Sequence, residues 1–323
     1  MKNSAISRRK FIGTATAATA FTLLPSGLYG AKPKKPNSKV AGVQLGCTTY
    51  SYRSMPHNLD EVLGYLLQAG ISSAEMRSVL EEGLGIPQAP PRLARDASDT
   101  EKAAYAKTMA DLKEKQLKWR LSLPMQKYAD IKKKYNDAGV KIHIAKFAPT
   151  SWSDAEIDYA YNAAKTLGAY GITDELNDES AQRLGKFALK HKSMAILHTH
   201  GQFGMPGFDI DKYLAYSPAN RLNLDAGHFY GATGLHPNTI IEKYHDRIPS
   251  IHMKDKTGPK NADPDANRAF GKGETPIADI LLLLKKEKWP INVDVEMEYE
   301  IPAGSDAAKE TAKCIEYMRN ILE

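Results

Sequence analysis

From residue 43 onward, short apolar runs of strand type alternate with stretches whose apolar residues recur at helical spacing. The pattern predicts strands at Val43–Thr48, Ser72–Met76, Val140–Phe147, Tyr170–Leu176, Met194–His200, Arg221–Asp225, Ile248–Lys254 and Ile291–Met297. Between them it predicts helices that include Leu59–Ala69, Met125–Ala138, Asp154–Leu167, Asp178–His191, Pro237–Tyr244 and Pro276–Lys286. Ser153 ahead of Asp154-Ala155-Glu156 is an N-capping pattern, and Gly139 and Gly168 are helix stops. Successive strands start 29, 68, 30, 24, 27, 27 and 43 residues apart, mostly the period of a strand–helix unit with short connections. Eight such units predict an α/β fold, a (β/α)8 barrel, rather than an open doubly wound sheet. Leu45-Gly46-Cys47-Thr48 also lacks the glycine spacing of a dinucleotide turn. The 68-residue interval marks an insertion after strand two, at about 78–120, with a Pro/Gly-rich loop (83–91) and an Ala/Lys-rich helix from about Ser98 to Trp119. An insertion there sits over the C-terminal mouth as a lid or an oligomer contact, which leaves a homo-oligomer open.

Charge changes the picture at one end only. The net charge is +6, but residues 1–30 hold four cations and no acid, and residues 31–40 hold four more, so residues 41–323 carry −2. The basic balance therefore belongs to the N-terminus and argues against a nucleic-acid partner. Ser7-Arg8-Arg9-Lys10-Phe11-Ile12-Gly13, followed by an uncharged Ala/Thr-rich run to Leu24, resembles a bacterial twin-arginine export signal over residues 1–30. The apolar run is too short to span a bilayer, so stable membrane insertion is not expected, although an uncleaved anchor is the alternative. Residues 31–40 read as a linker and 41–323 as the catalytic domain, in a periplasmic or otherwise exported protein. Cys47 and Cys314 are the only cysteines. They form no disulfide framework or metal knuckle; packing is their default role, and a single disulfide stays open.

Polar residues collect where the predicted strands end, the functional face of such a barrel. Strand four closes with Thr173-Asp174-Glu175, strand five with His198-Thr199-His200, and strand six with Asn223-Leu224-Asp225 ahead of His228. Strand seven carries His252-Met253-Lys254-Asp255, and strand eight Asp294, Glu296 and Glu298 on one face. One such residue is usually a satisfied surface group, but five successive strand ends with ligand-type side chains point to a bound cation. Mixed His, Asp and Glu ligation from these strand ends suits a divalent Mn, Zn, Co or Mg ion.

These motifs resemble the xylose-isomerase-like barrels of the sugar phosphate isomerases and epimerases. The resemblance runs from about 42 to 322 through Gly42-Val43-Gln44-Leu45-Gly46, Glu75, Leu222-Asn223-Leu224-Asp225-Ala226-Gly227-His228, Ile251-His252-Met253-Lys254-Asp255 and Val295-Glu296-Met297-Glu298. It implies a metal held by one residue from each of strands five to eight: His198 or His200, Asp225, His252 and Glu296, with His228 facing the substrate. The chain departs from ketose epimerases at strand five, where they carry a glutamate that is both ligand and base. Glu175, one strand earlier, is the substitute carboxylate. The Gly271-Lys272-Gly273-Glu274-Thr275-Pro276 stretch also resembles a family loop, either an anion grip or a flexible turn. Trp119, Trp152 and Phe229 are candidates for stacking on a sugar, with packing as the competing role.

A metal beside a sugar carbonyl acidifies the neighbouring C–H, and a carboxylate or imidazole takes the proton. Glu296 is the expected ligand and base, Glu175 a ligand or second base, Lys254 an oxyanion stabiliser or acid, and His228 a catalytic or substrate contact together with Glu298. Returning the proton isomerises or epimerises the sugar, whereas loss of a beta leaving group cleaves a 3-keto-glycoside or dehydrates a keto-polyol. Export favours a free sugar or keto-sugar substrate over a phosphorylated one. A metal-dependent hydrolase and a non-catalytic sugar-binding protein complete the range of readings.

Overall fold

The computed structural model describes residues 35–56 and 58–323. Eight parallel strands form the barrel: β1 (Val43–Thr48), β2 (Ser73–Met76), β3 (Lys141–Ala145), β4 (Gly171–Glu175), β5 (Met194–His198), β6 (Asn220–Asp225), β7 (Ser250–Met253) and β8 (Asn292–Val295). They neighbour one another in sequence order, and β8 pairs with β1, so the sheet closes. All eight lie within the spans expected from the periodicity, apart from Asn220, which starts β6 one residue early. A two-residue strand, Lys39–Val40, adds antiparallel to β1 at the lower rim. The export-type signal, residues 1–30, and the first part of the linker lie outside the described residues. Among those described, no helix is long and apolar enough to cross a membrane.

The helices are α1 (Leu59–Gln68), α2 (Val79–Glu82), α3 (Asp99–Ser122), α4 (Gln126–Ala138), α5 (Asp154–Leu167), α6 (Asp178–His191), α7 (Ile210–Ala215), α8 (Ala226–Thr233), α9 (Asn238–Tyr244), α10 (Ile277–Glu287) and α11 (Ala307–Leu322). Local chemistry sets their ends. Ser153 accepts from the Glu156 amide while Glu156 reaches back to Ser153, the reciprocal cap expected for α5. Gly139 and Gly168 take left-handed conformations at φ 91° and 84° and stop α4 and α5. Outward-facing strand residues such as Ile251, Met253, Val293 and Val295 pack under the helices in one continuous apolar layer. Alternate residues turn inward, and that interior is polar: Glu75, His143, Asn223, His252 and Asp294 are all buried there.

Between β2 and α4 the chain runs through α2, an irregular stretch and α3. Only Leu112 and Arg120 of α3 are buried, so its apolar surface contributes little to its docking. Arg120 does that work instead: it forks onto Glu81 of α2 and reaches Glu156 of α5. Both cysteines are free and buried. Burial pushes both thiols up, Cys314 to about 12, which keeps them protonated and fits the packing role.

Candidate metal centre and active site

Register across β5 to β8 aligns the site. His198 pairs with Asn223, Asp225 with His252, and His252 with Asp294, two residues short of Glu296. As a result His198, Asp225, His252 and Glu296 each place one ligand-type atom within 4.8 Å of the others, and all four are buried. Glu175, His198 and His200 form a second such group, sharing His198. The structure thus gathers all six expected ligand residues and puts His198, not His200, beside the buried carboxylates.

The donor chemistry of the first group fits a divalent ion. Among the described residues, His198 Nδ1 is buried with no hydrogen-bond partner, and Asp225 Oδ2 is also left without one. The latter oxygen lies 3.0 Å from Lys254 Nζ, near the ammonium but outside hydrogen-bonding geometry. Burial, then the neighbouring His252 and Lys146, lower the His198 pKa well below its ordinary value, which keeps the ring neutral and its lone pair available. His252 is clamped on both sides: Nδ1 lies 2.8 Å from Glu296 Oε2 and Nε2 lies 2.9 Å from Glu75 Oε2. Burial alone would depress His252, but the two carboxylates outweigh it and hold the ring charged. Reciprocally, burial works against the Glu75 carboxylate, yet His252 brings it down to about 2. An ion bound to His252 Nδ1 and Glu296 would leave Nε2–H donating to Glu75, the carboxylate–histidine arrangement that sets tautomer and orientation around metals. Thr48 and Asn223 donate to Glu75 at 3.2 and 2.6 Å and fix it in turn.

Glu75 is therefore a positioning residue whose role beyond the motif was not read from the sequence. Glu75→Gln is expected to weaken divalent-ion binding about 10–100-fold while all four candidate ligands remain. Calorimetric titration with Mn²⁺ checks this, and an unchanged affinity would remove Glu75 from the centre.

Charge balance explains the remaining neighbours. Lys254 is buried, with Nζ 3.0 Å from Glu296 Oε2 and 2.5 Å from Glu298 Oε2. Burial would lower its pKa, but Asp225, Glu296 and Glu298 raise it well above the usual lysine range. Arg77, which the sequence reading passed over, stands 3.7 Å from Glu296 Oε1 and lies over the Tyr50 ring. Glu175 is half-exposed, 2.5 Å from Lys146 Nζ and 3.3 Å from His200 Nδ1. The rings of His198, His200 and His228 follow one another at 4.5 and 5.0 Å, a file of imidazoles across the mouth. Asp225 also caps α8: its Oδ1 accepts from the His228 amide at 2.8 Å, which ties His228 to the strand end.

Three expectations change. Phe229 is 1 % exposed and packs on Phe203 at 5.0 Å, so it belongs to the core and offers no face to a substrate. Trp152 is half-buried, with Arg120 stacked on its ring at 3.5 Å, and Trp119 packs against the core. The 271–276 loop is neither an open anion grip nor a loose turn. The amides of Gly271, Lys272 and Gly273 point at Asp255 Oδ2 at 2.8–3.2 Å, and that of Thr275 at Oδ1. The nest is filled by the chain's own carboxylate, and a Cβ on Gly273 would collide with it.

The closed (β/α)8 barrel is the class of fold this chain adopts, and solved structures of xylose isomerase-like barrels are similar to it in fold. One is a xylose isomerase domain protein from Alicyclobacillus acidocaldarius, 14 % identical, with a TM-score of 0.58 over 86 % of this chain and 99 % of that one. Another is a sugar phosphate isomerase/epimerase from Parabacteroides distasonis, 15 % identical, TM-score 0.55 over 87 % and 97 %. A third is a D-allulose 3-epimerase from Methylomonas sp., 13 % identical, TM-score 0.54 over 89 % and 99 %. No protein-family model matches the chain, and no curated protein matches it in sequence. The similarity is one of fold.

Proposed function

We propose that the protein is an exported, divalent-metal-dependent enzyme that removes a proton alpha to the carbonyl of a non-phosphorylated sugar. The observation that carries this reading is the convergence of His198, Asp225, His252 and Glu296 from four successive strand ends onto one buried point. These four residues would hold a divalent ion, which would supply Lewis-acid stabilisation of negative charge developing beside a sugar carbonyl. The chain's own groups do the rest. Glu296 takes the proton, Lys254 steadies the developing negative charge from beside it, and Glu75 keeps His252 oriented. The fold's epimerase and isomerase relatives support sugar isomerisation or epimerisation as the outcome. The twin-arginine-type N-terminus supports export, which favours free or oxidised sugars over phosphorylated ones.

A second outcome has its own support. β5 ends in His198, with His200 just beyond it, rather than in a second carboxylate, and Glu175 is engaged by Lys146. A single carboxylate base, Glu296, suits beta-elimination from a 3-keto-glycoside or dehydration of a keto-polyol, which needs proton abstraction on one face only. A probable 3-DHS dehydratase from Bacillus anthracis has a similar fold, with a TM-score of 0.57 at 11 % identity. Proton NMR in D₂O of the Mg²⁺- or Zn²⁺-loaded protein with paired free sugars and 3-keto-glycosides separates the two. Deuterium entering beside the carbonyl without bond cleavage establishes isomerase or epimerase chemistry. Aglycone release establishes a lyase. Neither event across the panel removes the enzymatic proposal.

A further inference from the structure

Arg77 directly follows β2 and Tyr50 lies in the short turn after β1, so the two meet at the C-terminal rim beside Glu296. The Arg77 amide donates to Thr49 Oγ1 at 3.0 Å, which fixes where its side chain starts. Its guanidinium carbon lies 4.2 Å from the Tyr50 ring centre, and that of Arg53 lies 4.6 Å from the same centre. A ring beneath a guanidinium accepts no ordinary hydrogen bond, so the N–H groups still need acceptors. Arg53 finds them: its Nη1 donates to the Tyr50 and Met297 carbonyls at 3.2 and 2.9 Å. Arg77 does not. Among the described residues its guanidinium donates no hydrogen bond, and its approach to a carboxylate, Nη1 to Glu296 Oε1, is 3.7 Å, too long for one. The side chain is only 25 % exposed, yet none of its nitrogens is sealed from the surface. Two guanidinium groups held against one ring also repel each other, and the other acids of the mouth are committed elsewhere. Glu75 faces His252, Glu175 faces Lys146 and Glu298 faces Lys254. A divalent ion at the four-residue group would add two positive charges beside the same carboxylates.

We propose that Arg77 is a substrate-binding residue and that the sugar taken at this mouth carries a carboxylate, as a uronate or a keto-aldonate does. This rests on the reading of the mouth as a sugar site and narrows its substrate class. The planar fork of Arg77 matches a carboxylate edge to edge, Tyr50 is the platform that holds the fork, and Arg53 is a second cation nearby. A phosphate fits less well. The loop amides that could cradle one, those of Gly271, Lys272 and Gly273, already hold Asp255.

The test is calorimetric titration of the full, Mg²⁺-loaded chain at constant ionic strength with matched pairs: fructose and fructuronate, tagatose and tagaturonate, glucose and glucuronate. In the parent, at least one acid is expected to bind about tenfold or more tighter than its neutral partner. Arg77→Met should abolish that preference and leave the neutral sugar's affinity unchanged. The thermal midpoint reports folding, and Arg77→Gln is the second variant should the first lower it. Equal affinity within every pair, a preference that survives both substitutions, or no binding by any acid overturns the proposal. Fructose 6-phosphate binding more tightly than every acid overturns it too. The two readings fail separately. An acid that binds through Arg77 but shows neither deuterium entry nor bond cleavage in D₂O removes the enzymatic reading alone. Turnover of neutral sugars with no preference for an acid removes the carboxylate alone.

Discussion

Glu296→Gln is expected to lower turnover by about 10²–10⁴-fold, the range for losing a positioned base, and to weaken retention of the divalent ion. Glutamine keeps the size of the side chain but removes the charge that His252 Nδ1 faces at 2.8 Å and Lys254 Nζ at 3.0 Å. Two cations lose part of their balance, and an ion at the centre loses an anionic donor. Measuring bound metal by elemental analysis alongside turnover in the D₂O assay separates the roles. Metal lost together with turnover marks Glu296 as a ligand, while metal kept with turnover lost marks it as the base. A variant that keeps both would show that the convergence at the β5–β8 ends is structural.

Arg120→Met is expected to give the largest loss of stability. The guanidinium donates from Nε and Nη2 to the two Glu81 oxygens at 2.8 and 3.1 Å, and from Nη1 to Glu156 at 2.9 Å. All three side chains are buried, and the Tyr159 hydroxyl adds a bond to Glu81. Breaking a buried ion pair from one side leaves uncompensated carboxylates, which costs about 3–5 kcal/mol. At about 2–4 °C per kcal/mol for a domain of this size, the thermal midpoint should fall by roughly 10 °C. Burial works against the Glu156 carboxylate, but Ser153 and Arg120 hold its pKa below the ordinary 4.5. Its share of stability is thus present above that value and is lost as the pH falls through the depressed one, so the variant's deficit should shrink in acid. Thermal denaturation at pH 7 and pH 3.5 checks both statements. A midpoint within 2 °C of the parent at neutral pH would show that α3 docks by other means.

The fold was largely legible because a (β/α)8 barrel repeats one short pattern. Apolar runs of strand length recur at nearly constant spacing, and Ser153, Gly139 and Gly168 announce helix ends through interactions a few residues long. α8 was harder to see: Gly227 and Gly231 within it and Gly234 after it resemble a loop, yet Asp225 caps it from the strand end. The candidate site was legible as a list of strand ends, since alternation fixes which side chains share a face. Which histidine of β5 joins the carboxylates was not, because His198 and His200 have the same parity and differ only in depth along the barrel.

The sequence by itself determined the strand–helix order and the set of residues that could reach one mouth. Those follow from periodicity and local capping, which act over a few residues. Only the tertiary structure decided that Glu75 braces His252 across the barrel, that Arg120 pins α3, and that Asp255 fills its own loop's nest. It also decided that Phe229 is core. Each of these depends on contacts between residues far apart in the chain, where burial and the partner's charge, rather than residue type, set what a side chain does.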